Sequence, residues 1–174
     1  MEEILLRNIV ETGMKIDLHI HSKVSSIKDG KKVKNNTVEN IPVLINKLSE
    51  NDVNICAITD HDAFSYEMYT TLKAAEKTDN PIQKVLPGIE FSVKFEFDDI
   101  QSVIHVVAIF SDEDDEKVKN IEINLKDIKT DSDGTYSEEK FLQLLRLIDI
   151  DTILIAHQKN SLTKKDESRI KNWI

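Results

Sequence analysis

A single cysteine in 174 residues leaves no internal disulfide possible, and Cys56 lies inside the apolar run VNICAI, as suits a reducing cytoplasm. No apolar run approaches a membrane span, and the acidic start Met1-Glu2-Glu3 is not that of a signal peptide. Glycine and proline are scarce, four and three, and with 40% hydrophobic and 32% charged residues the composition is that of a soluble globular chain. Three further absences narrow the chemistry: there is no Ser-His-Asp order, no Gly-rich phosphate loop and no Rossmann fingerprint. Asp131-Ser132-Asp133-Gly134 lacks the glutamate of a calcium loop at the right spacing and is expected to be a turn. Basic residues are outnumbered, 23 to 32, and the net charge of -9 argues against broad, non-specific nucleic-acid binding while leaving room for a local basic site. The length suits one domain, or part of one, with a substantial core.

What the chain does hold gathers first at residues 14–22, MKIDLHIHS. Side chains alternate faces along a strand, so Asp17, His19 and His21 are expected on one face, with Leu18 and Ile20 turned into packing. Two imidazoles about 7 Å apart beside a carboxylate can grip a metal and orient a ligand ring. Residues 23–36 read as a loop carrying Lys23, Lys28, Lys31, Lys32 and Lys34, a basic patch placed to hold phosphate. Asp29, just before Gly30, either folds back as a carboxylate ligand or makes an Asx-type turn.

Residues 1–13 carry Ile4, Leu5, Ile9 and Val10 at helical spacing and predict a short packing helix or arm. Asn40 is expected to cap a helix reaching about Asn51, with Val43, Leu44 and Leu48 on its buried side. A second strand over 53–58 ends in Thr59-Asp60-His61-Asp62, and residues 63–78 are helical in pattern. A third strand within 85–97 carries Glu90 just past a Pro87-Gly88 kink, where a carboxylate between Ile89 and Phe91 demands a partner. The fourth, 103–110, embeds His105 among aliphatics. Helices follow over 116–126 and from a Ser137 cap to about Leu147, and a fifth strand, 151–156, ends in His157. Strands alternating with helices predict βα units in a parallel, barrel-like or doubly wound sheet, whose ligands collect at the carboxyl ends of the strands. All five histidines fall in or at the end of a predicted strand and, with Glu90, give six candidate ligands on one rim. Imidazole with carboxylate suits Zn, Mn or Fe rather than Ca or Mg alone. Lys23, Lys28, Lys31 and Lys159 would border the same rim, with Lys164 and Lys165 beyond.

IDLHIHS, ITDHD, LPGIEFS, VIHVVAIF and LIAHQ together resemble, in order, the successive metal-binding motifs of the PHP (polymerase and histidinol phosphatase) family. The resemblance implies an α/β fold, a distorted TIM-like barrel of seven βα units, here incomplete at about five. It also implies up to three divalent ions and hydrolysis of phosphoesters, as a phosphatase or nuclease acting on a nucleic-acid end, a nucleotide or a small phosphoester. Carried over, His19 and His21 would bind a first metal shared with Glu90 as bridge. His105 and His157 would complete a second, and His61 would serve a third. Asp29 matches the family's loop carboxylate at a stretched spacing, and Asp17 and Asp60 match residues that orient the rings. No Asp-x-His motif follows His157, so residues 14–160 are expected to be the motif-bearing part of a single PHP domain truncated at its C-terminus. Further domains of a longer chain are expected, in the manner of PHP domains fused to SMC-like ATPases. A different class of reading is a degenerate PHP module with a structural or partner-binding role in an ATPase or polymerase assembly. An amidohydrolase-type barrel, which also opens on HxH, would need a bridging lysine where Glu90 stands.

Overall fold

The computed structural model describes residues 13–97 and 100–157; the helix expected over 1–13 (Gly13 apart), and Lys159, Lys164 and Lys165, lie outside them. Strand β1 (Lys15–Ile20) is followed by short helical turns that include α1 (Ser26–Asp29). Then come α2 (Ile41–Glu50), β2 (Val53–Ile58), α3 (Tyr66–Lys73), β3 (Lys84–Phe97) and β4 (Ile100–Phe110). Helix α4 (Asp115–Asp127), a two-residue β5 (Tyr136–Ser137), α5 (Glu138–Ile148) and β6 (Thr152–His157) complete the order. The sheet runs β1-β2-β3-β4-β6, with β5 off this path on β3. Together these elements make a mixed α/β fold whose sheet curls into half a barrel, an incomplete TIM-like barrel.

The wholly parallel sheet expected from strand–helix alternation is corrected here. β1, β2 and β3 are parallel, but β4 pairs antiparallel with β3, and β6 antiparallel with β4. The reason is local: only two residues separate β3 from β4, too few for a crossover, so the chain can only double back. His105 consequently sits within its strand, opposite Ser92 on one side and His157 on the other, rather than at a carboxyl end.

Local chemistry accounts for the helices. Ser65, Asp114 and Ser137 are N-caps whose side chains accept hydrogen bonds from the N–H groups of Met68, Lys117 and Lys140. α5 buries Phe141, Leu144 and Ile148, a stripe at i, i+3 and i+7. On α2 the buried residues are Ile41 and Leu48, whereas Val43, expected inside, is 57% exposed. Asn40 stands at the start of α2 without capping it, since its amide donates to the Asn35 carbonyl instead. The expected loop over 23–36 is wound into helical turns, which shorten it.

One large core lies between sheet and helices, built around Phe91, Phe141, Tyr136, Leu72 and Ile104. A small cluster of Ala57, Val107 and Ile109 packs separately with Leu18 and Leu86. Leu18 belongs to that cluster and Ile20 to the large core, because the β1 register is irregular between Asp17 and Ile20. Both thus turn into packing, against different clusters.

Lys73 and Lys84 both hold the Asp112 carboxylate, the latter at 2.6 Å, near the start of β3. Burial alone would raise the Asp112 carboxyl, but the two ammonium groups outweigh it and keep it below its ordinary value. A depressed acid contributes stability above its unfolded pKa and loses it as pH falls through the folded one. Asp112→Asn should therefore lose about 1–2 kcal/mol at pH 7, with the gap to the parent closing below about pH 4 in urea titrations. Gly88 is fixed by space: an added Cβ would meet Thr59 Cγ2 at 2.7 Å and Ile109 Cδ1 at 3.0 Å. Gly88→Ala should cost about 1–3 kcal/mol of unfolding free energy, read from the urea midpoint.

Candidate metal centre

The edge of β3 changes neighbours along its length. Residues 84–87 pair with β2, and Val93 and Lys94 pair with β5. Between them the backbone is held by residues 60–62: Glu90 N–H donates to the Asp60 carbonyl, and Asp62 N–H donates to the Glu90 carbonyl. This places His61 beside Glu90. Asp60, 2% exposed, also accepts from Ser22 N–H at 2.6 Å and Ser22 Oγ at 2.5 Å, tying the turn after His21 to the end of β2. Three parallel strands thus deliver His19 and His21, His61, and Glu90 to one place.

Glu90 is 1% exposed and stands at the centre. Its Oε1 lies 2.6 Å from His105 Nδ1. Its Oε2 faces His21 Nε2 at 3.1 Å, His61 Nδ1 at 3.3 Å and His19 Nε2 at 3.6 Å. Asp29 reaches the same pocket, with Oδ2 2.9 Å from His21 Nδ1 and Oδ1 3.4 Å from His61 Nε2. The helical turns over residues 23–33 make up its stretched spacing, and Ser25 Oγ donates to Asp29 at 2.5 Å. His157 stacks on His19 with ring centres 4.1 Å apart. All five histidines, Glu90 and Asp29 are therefore together.

Ligand atoms within 4.8 Å of one another form two groups, His19–Glu90–His157 and His21–His61–Glu90. Glu90 belongs to both groups, and the division differs from the expected one in that His19 and His21 go to different groups. Two donors on one tetrahedral Zn ion stand roughly 3.3 Å apart, close to the His21 and His61 separations from Glu90 Oε2. Glu90 Oε2 and His61 Nδ1 are buried and make no hydrogen bond within the protein. Neutral imidazole lone pairs aimed at a carboxylate repel it, so this donor set fits a divalent cation among them.

The charges respond to this crowding. The Glu90 carboxylate raises the His21 pKa, while burial lowers those of His19 and His61. Burial by itself would raise the Glu90 carboxyl, but the His105 and His21 rings reverse this and hold it well below the usual carboxylate range.

Not every expected residue joins the cluster. The Asp17 carboxylate turns back to accept from His19 N–H at 3.3 Å and touches no imidazole among the described residues. Asp60 hydrogen-bonds the Ser22 backbone and hydroxyl rather than a ring, and its charge contributes to raising the His21 pKa. Lys28 Nζ is engaged by the Asp62 carboxylate, by Ser92 Oγ at 2.8 Å and by the Gly134 carbonyl at 3.0 Å. Lys23 and Lys31 are exposed on the turns leading from β1. Asp62 was not foreseen. It adopts φ +51°, accepts from Ser92 N–H at 2.8 Å and from Lys28, and so braces the loop bearing His61. The second aspartate of TDHD was its only signal.

No family model and no curated protein matches this chain. Among solved structures it is similar to a protein from Bifidobacterium adolescentis, provisionally described as a metal-dependent phosphoesterase: 12% identity, TM-score 0.53, covering 93% of this chain and 75% of that one. It is also similar to an amidohydrolase from Chromobacterium violaceum, at 21% identity and TM-score 0.38, over 76% of this chain and 36% of that one. Among the described residues, no helix is long and apolar enough to cross a membrane.

Proposed function

We propose that this chain carries the metal centre of a metal-dependent phosphoesterase of the PHP type. The observation that supports it most is the buried Glu90 Oε2 with ring nitrogens of His21, His61 and His19 turned toward it at 3.1–3.6 Å. His19, His157 and Glu90 would hold one ion, and His21, His61 and Glu90 another, with Asp29 and His105 at the flanks. Zn, Mn or Fe suits these donors. Ions of that kind supply a nucleophile at neutral pH and neutralise charge at a phosphoryl group.

The protein's own work is positioning. His105 Nδ1–H donates to Glu90 Oε1, which aims Oε2 at the other rings. Asp29 holds His21 through Nδ1, so that Nε2 points inward, and thereby fixes the tautomer. Lys23, Lys31 and Lys159 add positive charge that would draw a phosphorylated substrate toward an otherwise acidic protein. A carboxylate bridge, where an amidohydrolase barrel would use a lysine, favours phosphoesters over amides.

Metal analysis after dialysis against Mn or Zn should find bound ions, and chelation should abolish hydrolysis of 4-nitrophenyl phosphate. Glu90→Gln or His19→Ala should lower turnover by at least about 100-fold with the circular dichroism spectrum unchanged. A chain that stays metal-free in excess Mn and Zn, or variants with full turnover, would refute the assignment and favour a degenerate module. Asp60→Asn should weaken metal affinity about 10-fold without removing any ligand, as measured by competition with a chelating dye.

A further inference from the structure

Beside the metal centre lies a cleft of about 390 Å³ that shares His61 with it as a wall. Ligand sites span ~300–1,000 Å³, mostly apolar with a few placed polar groups. Two features of this cleft have no role in folding. Ile27, in α1, is 98% exposed and Val24 is 38% exposed, although both are β-branched aliphatics. Leu125 and Lys129 also line the cleft. Lys129 is exposed, and its ammonium makes no ion pair among the described residues. Lys28, the other lysine of the cleft, is already neutralised by Asp62. Exposed aliphatic side chains on a cleft lining can receive an apolar group, and a cation without an ion pair on the same lining can meet a negative charge.

Building on the phosphoesterase reading, we infer that the cleft is its leaving-group site and that the substrate class is a compact phosphomonoester with a ring-sized apolar body and a second anionic group. The phosphoryl end lies at His61, the ring lies against Ile27 and Leu125, and the distal anion meets Lys129. An extended nucleic-acid strand would leave this wall uncovered.

The test uses the full chain loaded with Zn and three inert probes: methylphosphonate, phenylphosphonate and 4-carboxyphenylphosphonate. Their binding is followed by methyl NMR. Phenylphosphonate should bind about tenfold tighter than methylphosphonate and shift the Ile27 and Leu125 methyls. The distal carboxylate should add about threefold, lost in Lys129→Ala. Ile27→Asp, at a site in full solvent, should bring phenyl and methyl probes to parity. Absence of any shift at Ile27, or equal affinities for methyl and phenyl probes, overturns the inference. Turnover of ethyl and phenyl phosphate with equal kcat/KM overturns the cleft and leaves the phosphoesterase standing. Aryl-selective binding with no hydrolysis of any phosphoester does the reverse.

Discussion

A carboxylate stripped of water and ringed by imidazoles is the constraint to which the rest of this structure conforms. Taking Glu90 into the sheet interior carries a desolvation cost that only close positive charge can offset. The rings of His105 and His21 begin to do so, and a divalent cation would complete it. Every neighbouring segment serves that arrangement. Asp60 ties the turn after β1 to the end of β2, and residues 60–62 occupy the stretch of β3 edge that neither β2 nor β5 covers.

That stretch explains why the centre lies where it does. A strand edge paired along its whole length would leave no room for a side-chain cluster. Here β2 ends at Ile58 while β3 continues to Phe97, so the following residues meet β3 through single hydrogen bonds and their side chains are free to turn inward. The left-handed backbone of Asp62 is part of this departure from regular pairing.

Much of this was readable from the chain, and the failures have physical causes. Histidines in or just beyond strands, in four separate segments, announced a common pocket, and the buried position of Glu90 followed from the apolar residues on either side of it. Alternation of strand and helix suggested a parallel sheet, but only two residues lie between β3 and β4, too few for a crossover, and that alone reverses β4. Asp17 was misplaced because a period-two reading assumes a regular strand, and β1 slips its register there. The grouping of His19 with His157 and of His21 with His61 depends on ring rotation and on the approach of β6, which spacing along the chain does not encode. Val43 shows the same limit on α2, where the apolar residue two positions earlier, Ile41, takes the buried place.

The grip of Lys28 has a mechanical consequence. One ammonium is shared by the loop at residue 62, by the middle of β3 and by the tight bend at residue 134. These strips are far apart in the chain and meet at a single cation. Whatever neutralises that charge or draws it away loosens all of them at once, so the floor and one border of the cavity should move as a coupled unit rather than piece by piece.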